Sequence, residues 1–193
     1  QRVVFYKSGV AVKTILVDNY RVEYVEGGTG DTILLLHGFQ SEKRTWTGYT
    51  KRLVKHYNVI ALDFPGHGGS EINLEQKFDL YSLAAFVDRF VQAKGLQKFN
   101  LAGMSMGGGT AVIYTVEHPE KVNKLVLINP LGVNPPINSE LQELLAQGRN
   151  LFFPKNVAEF DELIIFLRGN PLPLNNHLKR YAVRKINQGK AFY

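Results

Sequence analysis

Between Thr32 and Ile128 the chain alternates short apolar runs with longer amphipathic stretches, and this alternation restricts its fold more tightly than any other feature. Ile33-Leu34-Leu35-Leu36 and Leu125-Val126-Leu127-Ile128 are unbroken apolar runs of strand length, as expected of strands covered on both faces. The pattern predicts strands at Thr32 to Leu36, Asn58 to Leu62, Phe99 to Ala102 and Lys124 to Ile128. Helices are expected between them, near Thr45 to Lys55, at Leu80 to Ala93 and at Met106 to Glu117. In the middle helix Leu83, Phe86, Val87, Phe90 and Val91 follow the i, i+3, i+4, i+7, i+8 rule, and Gly95 suits its end. Such alternation predicts a three-layer α/β fold around a mostly parallel sheet. Upstream, the β-rich stretches Lys13 to Asp18 and Arg21 to Val25, joined at Asn19-Tyr20 and followed by the turn cluster Glu26 to Gly30, predict an antiparallel N-terminal hairpin.

Beyond Asn129-Pro130 the strand signal stops. Ser139 with Gln142 forms a capping box ahead of Leu141, Leu144 and Leu145, closed by Gly148. Asn156 with Glu159 forms a second ahead of Phe160, Leu163, Ile164 and Leu167, closed by Gly169, and a third helix is expected from about His177 to Gln188. Residues 1–130 therefore read as the α/β part, and residues 131–193 as a helical segment inserted after it.

The 45% hydrophobic and 21% charged composition suits a globular protein, and no window approaches the roughly 18 apolar residues of a membrane span. The opening Gln1 to Lys7 has no signal-peptide core, and a start without Met leaves room for a leader removed upstream, so the compartment stays open. Zero cysteines exclude disulfides and thiolate metal sites. The formal charge of +6 is uneven: residues 168–193 carry six basic side chains and no acidic one, while the remainder is balanced. A neutral body argues against nucleic-acid binding, which needs basic groups spread over a docking face.

Gly103-Met104-Ser105-Met106-Gly107 is a G-x-S-x-G sequence between a predicted strand and a predicted helix, the context of a nucleophile elbow. Such a turn leaves no room for side chains at Gly103 and Gly107. A serine hydroxyl is a weak nucleophile and needs a base, an orienting acid and N–H donors for the oxyanion. The donors are at hand. One is the Met106 backbone N–H at a helix N-terminus; the other is the Phe39 N–H in Leu36-His37-Gly38-Phe39, which leaves the first parallel strand at the same edge of the sheet.

A third loop, Asp63-Phe64-Pro65-Gly66-His67-Gly68-Gly69-Ser70, leaves the next strand at that edge. His37-Gly38-Phe39, this D-x-x-G-x-G-x-S loop and Gly-Met-Ser-Met-Gly-Gly, in this order and spacing, resemble the α/β-hydrolase superfamily over about residues 31–131. The closer resemblance is to its monoacylglycerol lipase and esterase branch with a helical cap, through Leu35 to Phe39, Gly103 to Gly108 and Phe152-Phe153-Pro154. The resemblance implies a triad in the order Ser, Asp, His, with the acid and base following strands beyond the cap. The chain ends within that cap, so the C-terminal core strands and helices and the triad Asp and His are expected to be absent from it. Where some relatives place the acid, this chain has Asn129-Pro130.

The remaining histidines have plainer readings. By analogy His37 shapes the oxyanion loop, with Gly38, Phe39 and Met106 beside the substrate; His67 stabilises its own loop; His118 fits a helix C-terminus. Nothing fixes His177 near Ser105. Five scattered histidines suggest no metal site, and the glycines do not match a dinucleotide fingerprint, so no cofactor is expected.

The leading reading is a serine hydrolase of carboxylic esters, with the apolar cap residues Leu151, Phe152, Phe153, Phe160, Ile164, Ile165 and Phe166 favouring acylglycerols. Alternatives are a C–C bond hydrolase of the same fold, or a ligand-binding protein on a hydrolase scaffold. A dehalogenase would carry Asp at position 105. In the third cap helix Leu178, Tyr181, Ala182 and Ile186 form an apolar stripe beside Lys179, Arg180, Arg184 and Lys185, a pattern that fits either a cap helix packed on its neighbours with a solvated basic face or contact with an anionic lipid surface.

Overall fold

In a computed structural model, which describes residues 8–72, 77–133 and 136–188, the alternating periods become a sheet with helices on both faces. The signal-peptide reading of Gln1 to Lys7 lies outside the described residues. The strands are β1 (Ala11–Val17), β2 (Tyr20–Gly27), β3 (Thr32–Leu36), β4 (Asn58–Leu62), β5 (Phe99–Met104) and β6 (Val122–Ile128). The helices are α1 (Thr47–Leu53), led in by a 3-10 turn at Lys43–Trp46, then α2 (Leu80–Lys94), α3 (Met106–Glu117), α4 (Glu140–Ala146), α5 (Val157–Arg168) and α6 (Asn176–Gln188).

The sheet order is β1-β2-β4-β3-β5-β6, antiparallel through β1, β2 and β4 and parallel from β4 to β6. Alternate residues of each strand serve two cores, as a period of two requires. Leu34, Leu36, Ile60, Leu62 and Leu101 pack with Leu83, Phe86, Val87 and Phe90 of α2 and Ala111 and Tyr114 of α3. On the other face Ile33, Leu35, Val59, Ala61 and Ala102 meet Trp46, Leu53 and Val54. Asp79 caps α2 by accepting the Ser82 N–H at 2.8 Å, and Gly95 ends it at a φ of 67°, the left-handed conformation glycine adopts freely.

Three local expectations are corrected. The hairpin turn is Asp18-Asn19, not Asn19-Tyr20: Val17 pairs with Tyr20, and both turn residues take positive φ, 51° and 67°. A two-residue hairpin turn of that hand needs positive φ at both centres, which Asp and Asn tolerate and Tyr does not. The second capping box is half formed, because Asn156 accepts the Glu159 N–H at 3.0 Å while the Glu159 carboxylate accepts from the Lys155 N–H instead of the cap residue's own. Finally, β6 is not covered on both faces. It pairs only with β5 among the described residues, and Val126 and Leu127 are 48% and 40% exposed.

The chain divides into two compact units, residues 1–133 and 134–193. In the second, Leu151, Phe160, Leu163 and Val183 are buried, Lys179 pairs with Asp161 at 2.7 Å, and the Asn187 amide donates to the Pro154 carbonyl at 2.7 Å. The formed capping box at Ser139 starts α4, which buries none of its residues.

Candidate active site

The parallel register sets three loops side by side. Leu36 at the end of β3 lies opposite Leu62 of β4 and Gly103 of β5, so His37, Asp63 and Ser105 leave the same edge of the sheet. The chain moves from β3 to β4 on one side and then to β5 on the other. That reversal of direction opens the crevice where α/β sheets gather ligands.

Ser105 sits between β5 and α3 at a φ of 52° and ψ of −119°, unusual for a residue with a Cβ and costing about 1–3 kcal/mol. Its surroundings hold it there. The Ser105 N–H donates to the Ile128 carbonyl at 3.0 Å, and its carbonyl accepts from the Gly109 N–H at 3.0 Å and the Leu131 N–H at 2.9 Å. The side chain itself is exposed. A methyl group on Gly103 would lie 2.2 Å from the Gly107 carbonyl oxygen, and one on Gly107 would lie 2.4 Å from that of Leu36. Close approach of backbone therefore demands both glycines.

His37 organises the loop beside it. The ring is fully buried, and its Nε2 accepts the Phe64 N–H at 3.1 Å, which leaves the proton on Nδ1 to be donated to the Gly38 carbonyl at 2.8 Å. Burial, with His67 nearby, pushes its pKa down to about 3, so the ring is neutral, and both of its nitrogens are engaged by partners other than Ser105. The Ser41 N–H also donates to the Gly38 carbonyl, at 3.2 Å, closing a turn in which Gln40 takes a φ of 52°. Because the Gly38 carbonyl and the Phe39 N–H belong to one trans peptide unit, anchoring the carbonyl aims the N–H the opposite way. Gly38 lies against the elbow: a methyl on it would be 3.2 Å from Ser105 Cβ and 3.8 Å from Oγ. Met106 opens α3 and is buried, and the first N–H groups of a helix have no acceptor within it.

The third loop is held by a buried ion-pair network that sequence patterns do not show. Asp63, fully buried, accepts from the Lys43 N–H at 2.6 Å, the Lys43 ammonium at 2.5 Å and the Gly69 N–H at 2.9 Å. Lys43 reaches Glu23 of β2 as well, at 2.6 Å. Burial alone would lower the Lys43 pKa, but hydrogen bonds to Asp63 and Glu23 outweigh it and raise the pKa, keeping the ammonium charged. Ser70 Oγ donates to the Asp63 carbonyl at 2.8 Å and accepts the Glu23 N–H at 2.9 Å. His67 is buried with its Nδ1 3.0 Å from the Pro65 carbonyl, and burial lowers its pKa. Lys43 and Glu23 carry no local motif, since their partners are distant in sequence.

The other histidines stand apart from Ser105 or outside its unit. His118 ends α3 beside Asp88, at 3.7 Å, roughly 18 Å from the elbow at 1.5 Å per helical residue. His56 precedes β4 at the opposite edge of the sheet, and His177 is an exposed residue of the second unit. No group of three or more His, Asp or Glu residues is placed to hold a metal among the described residues. A cleft of about 620 Å³ lies within the second unit, lined by Leu151 and Phe153 but also by Arg149, Lys155, Glu159 and Glu162. None of the described helices is long and apolar enough to cross a membrane.

Comparison with known proteins agrees with this fold. The sequence model of the α/β hydrolase fold family matches residues 31–163. A monoacylglycerol lipase of Xenopus laevis is 34% identical over 171 residues, 81% of this chain and 50% of that protein. A dihydrolipoyllysine-residue acetyltransferase component of the acetoin cleaving system of Cupriavidus necator is 37% identical over 72% of this chain and 37% of its own length. Among solved structures, a bacterial membrane phospholipase A superposes with a TM-score of 0.91 at 36% identity, over 98% of this chain and 62% of that one. A putative lipase from Acinetobacter baumannii superposes at 0.84 with 25% identity, over 99% and 65%. The chain thus spans half or less of these sequence relatives and under two thirds of the length of these structural ones.

Proposed function

The chain belongs to the α/β hydrolase fold family, and from that premise we propose that it carries the nucleophile of a serine hydrolase that cleaves carboxylic esters of lipids, monoacylglycerols foremost. The observation that carries this reading is the exposed Ser105, held at a φ of 52° on the strand-to-helix turn with Gly38 packed against it. In this reading Ser105 Oγ attacks the acyl carbonyl carbon as its proton passes to a histidine base. The N–H groups of Phe39 and Met106 receive the developing oxyanion, and His37 holds the Phe39 peptide in place. The tetrahedral intermediate then expels the alcohol, which takes the proton back, and water releases the acid by the same steps reversed in role.

Four of the five histidines are in the first unit and none fits the base: His37 and His67 are buried with lowered pKa, while His118 and His56 lie away from the elbow. The fifth, His177, is an exposed residue of the second unit, and we assign the triad base and acid to residues outside 1–193. Residues 131–193 are assigned as part of a helical cap segment. No cofactor enters the reaction.

The test is labelling by a fluorophosphonate probe of the protein that includes the proposed base and acid, together with hydrolysis of monoacylglycerol and of short and long nitrophenyl esters. Labelling that Ser105→Ala abolishes, with turnover of long-chain esters, is the expected result. A folded protein that includes the proposed base and acid yet neither labels nor turns over any ester would overturn the assignment.

A further inference from the structure

The last described helix has two faces of different character. Lys179, Val183, Ile186 and Asn187 recur at i, i+4, i+7 and i+8 and turn inward, where Val183 is buried and Lys179 pairs with Asp161 of α5. Lys179 therefore does not join the other cations at the surface, and Ala182 and Ile186 do not join the exposed apolar residues. The outer face holds Arg180 and Arg184 at i, i+4, and Leu178, Tyr181 and Lys185 at i, i+3, i+7, all exposed. Leu178 and Tyr181 are 46% and 51% exposed, although an apolar side chain on a packed helix ordinarily turns inward.

The charge on this face is uncompensated. Arg180, Arg184 and Lys185 form no ion pair among the described residues, and no acidic residue occurs after Glu162. The acids of the neighbouring α5 are engaged elsewhere: Asp161 with Lys179, Glu162 with Arg149, and Glu159 with the Lys155 N–H and the Asn156 amide. A polar helix with cations flanking an exposed tyrosine and leucine has the composition of one that lies in a membrane interface. There the arginines meet lipid phosphates while the aromatic ring and the leucine enter the headgroup boundary.

We propose that the outer face of α6 is a docking surface for an anionic lipid bilayer, with Arg180, Arg184 and Lys185 as the electrostatic contacts and Leu178 and Tyr181 as the inserted groups. This deepens the lipid-ester reading and rests on it for its purpose, since an enzyme whose substrate resides in a bilayer gains from being held there. A nucleic acid is the less suitable partner, because an exposed leucine offers nothing to a phosphate backbone or a base stack and the rest of the chain carries no excess positive charge.

The experiment measures partition of the full chain onto vesicles of phosphatidylcholine alone and of phosphatidylcholine mixed with phosphatidylglycerol, at low and high salt. Selective binding to the anionic vesicles, weakened by salt, is expected. Each surface cation contributes about fivefold, so the pair R180A/R184A should lower partition roughly twenty-five-fold. Tyr181→Ser should weaken it also, while Lys179→Gln, on the inward face, should not. Equal binding to neutral vesicles, an undiminished R180A/R184A variant, or retention by single-stranded RNA without vesicle binding would overturn the proposal. Fluorophosphonate labelling and turnover of a water-soluble short ester are read in parallel. They should be unchanged in R180A/R184A, and Ser105→Ala should bind vesicles like the parent, so failure of docking and failure of the hydrolase reading are told apart.

Discussion

His37 shows how much a single buried side chain can arrange. It accepts from Phe64, donates to Gly38 and so joins the third loop to the first, beside Ser105. Replacing it by Phe keeps an aromatic ring but removes both hydrogen bonds, so the Phe39 N–H loses its fixed direction. The expected effect is a fall in kcat of roughly tenfold to a hundredfold with little change in KM, since an oxyanion donor acts in the transition state. A fall in the fraction of sites labelled by a fluorophosphonate, with the rate per labelled site unchanged, would assign His37 to general folding alone. The same residue makes stability depend on pH. Its folded pKa is about 3 against an ordinary 6.5, so below pH 6.5 the unfolded chain binds a proton that the folded chain refuses. Stability is thus present in full above pH 6.5 and is lost as pH falls toward 3, by up to about 1.4 kcal/mol per pH unit. His67, lowered by burial as well, acts in the same direction. Urea unfolding across this range should show that slope in the parent and a shallower one in His37→Phe.

At the scale of elements, the segments with strong local patterns were legible: α2 from its apolar period and Gly95, β3 from its apolar run, and the strand-to-helix turn at Ser105 from its two glycines. The misreadings fall where distant or geometric terms decide. Asn19-Tyr20 gave way to Asp18-Asn19 because the hairpin's twist selects residues that tolerate positive φ. The Lys43, Glu23 and Asp63 network was not legible, because it joins a turn, a strand of the hairpin and a loop that only tertiary folding brings together. Removing its cation by Lys43→Met would leave Asp63 buried and uncompensated. The expected cost is about 3–5 kcal/mol in urea unfolding. A loss below about 1 kcal/mol would mean that Asp63 is neutralised or reached by water once Lys43 is gone.

For the whole molecule, the proposed division of labour has a direct consequence. If the base and acid lie outside residues 1–193, a polypeptide of these residues alone retains the serine and the oxyanion donors without the group that activates the hydroxyl. Its ester turnover should be lower by roughly 10⁴ to 10⁶ than that of a chain supplying the base, because the triad acts as a unit. Comparable rates would require a base within the chain, and His177, the histidine of the second unit, would be the first to test by His177→Ala. By itself the sequence determined the fold class, the nucleophile candidate and the basic character of its last helix. Each is written in residues close together along the chain, as a period, a turn motif or a local charge excess. Only the tertiary structure decided that His37 is a neutral clamp, that Lys43 ties three segments together, and that Lys179 faces inward while Leu178 and Tyr181 face out. Burial and pairing depend on which distant segments meet, and no local pattern records that.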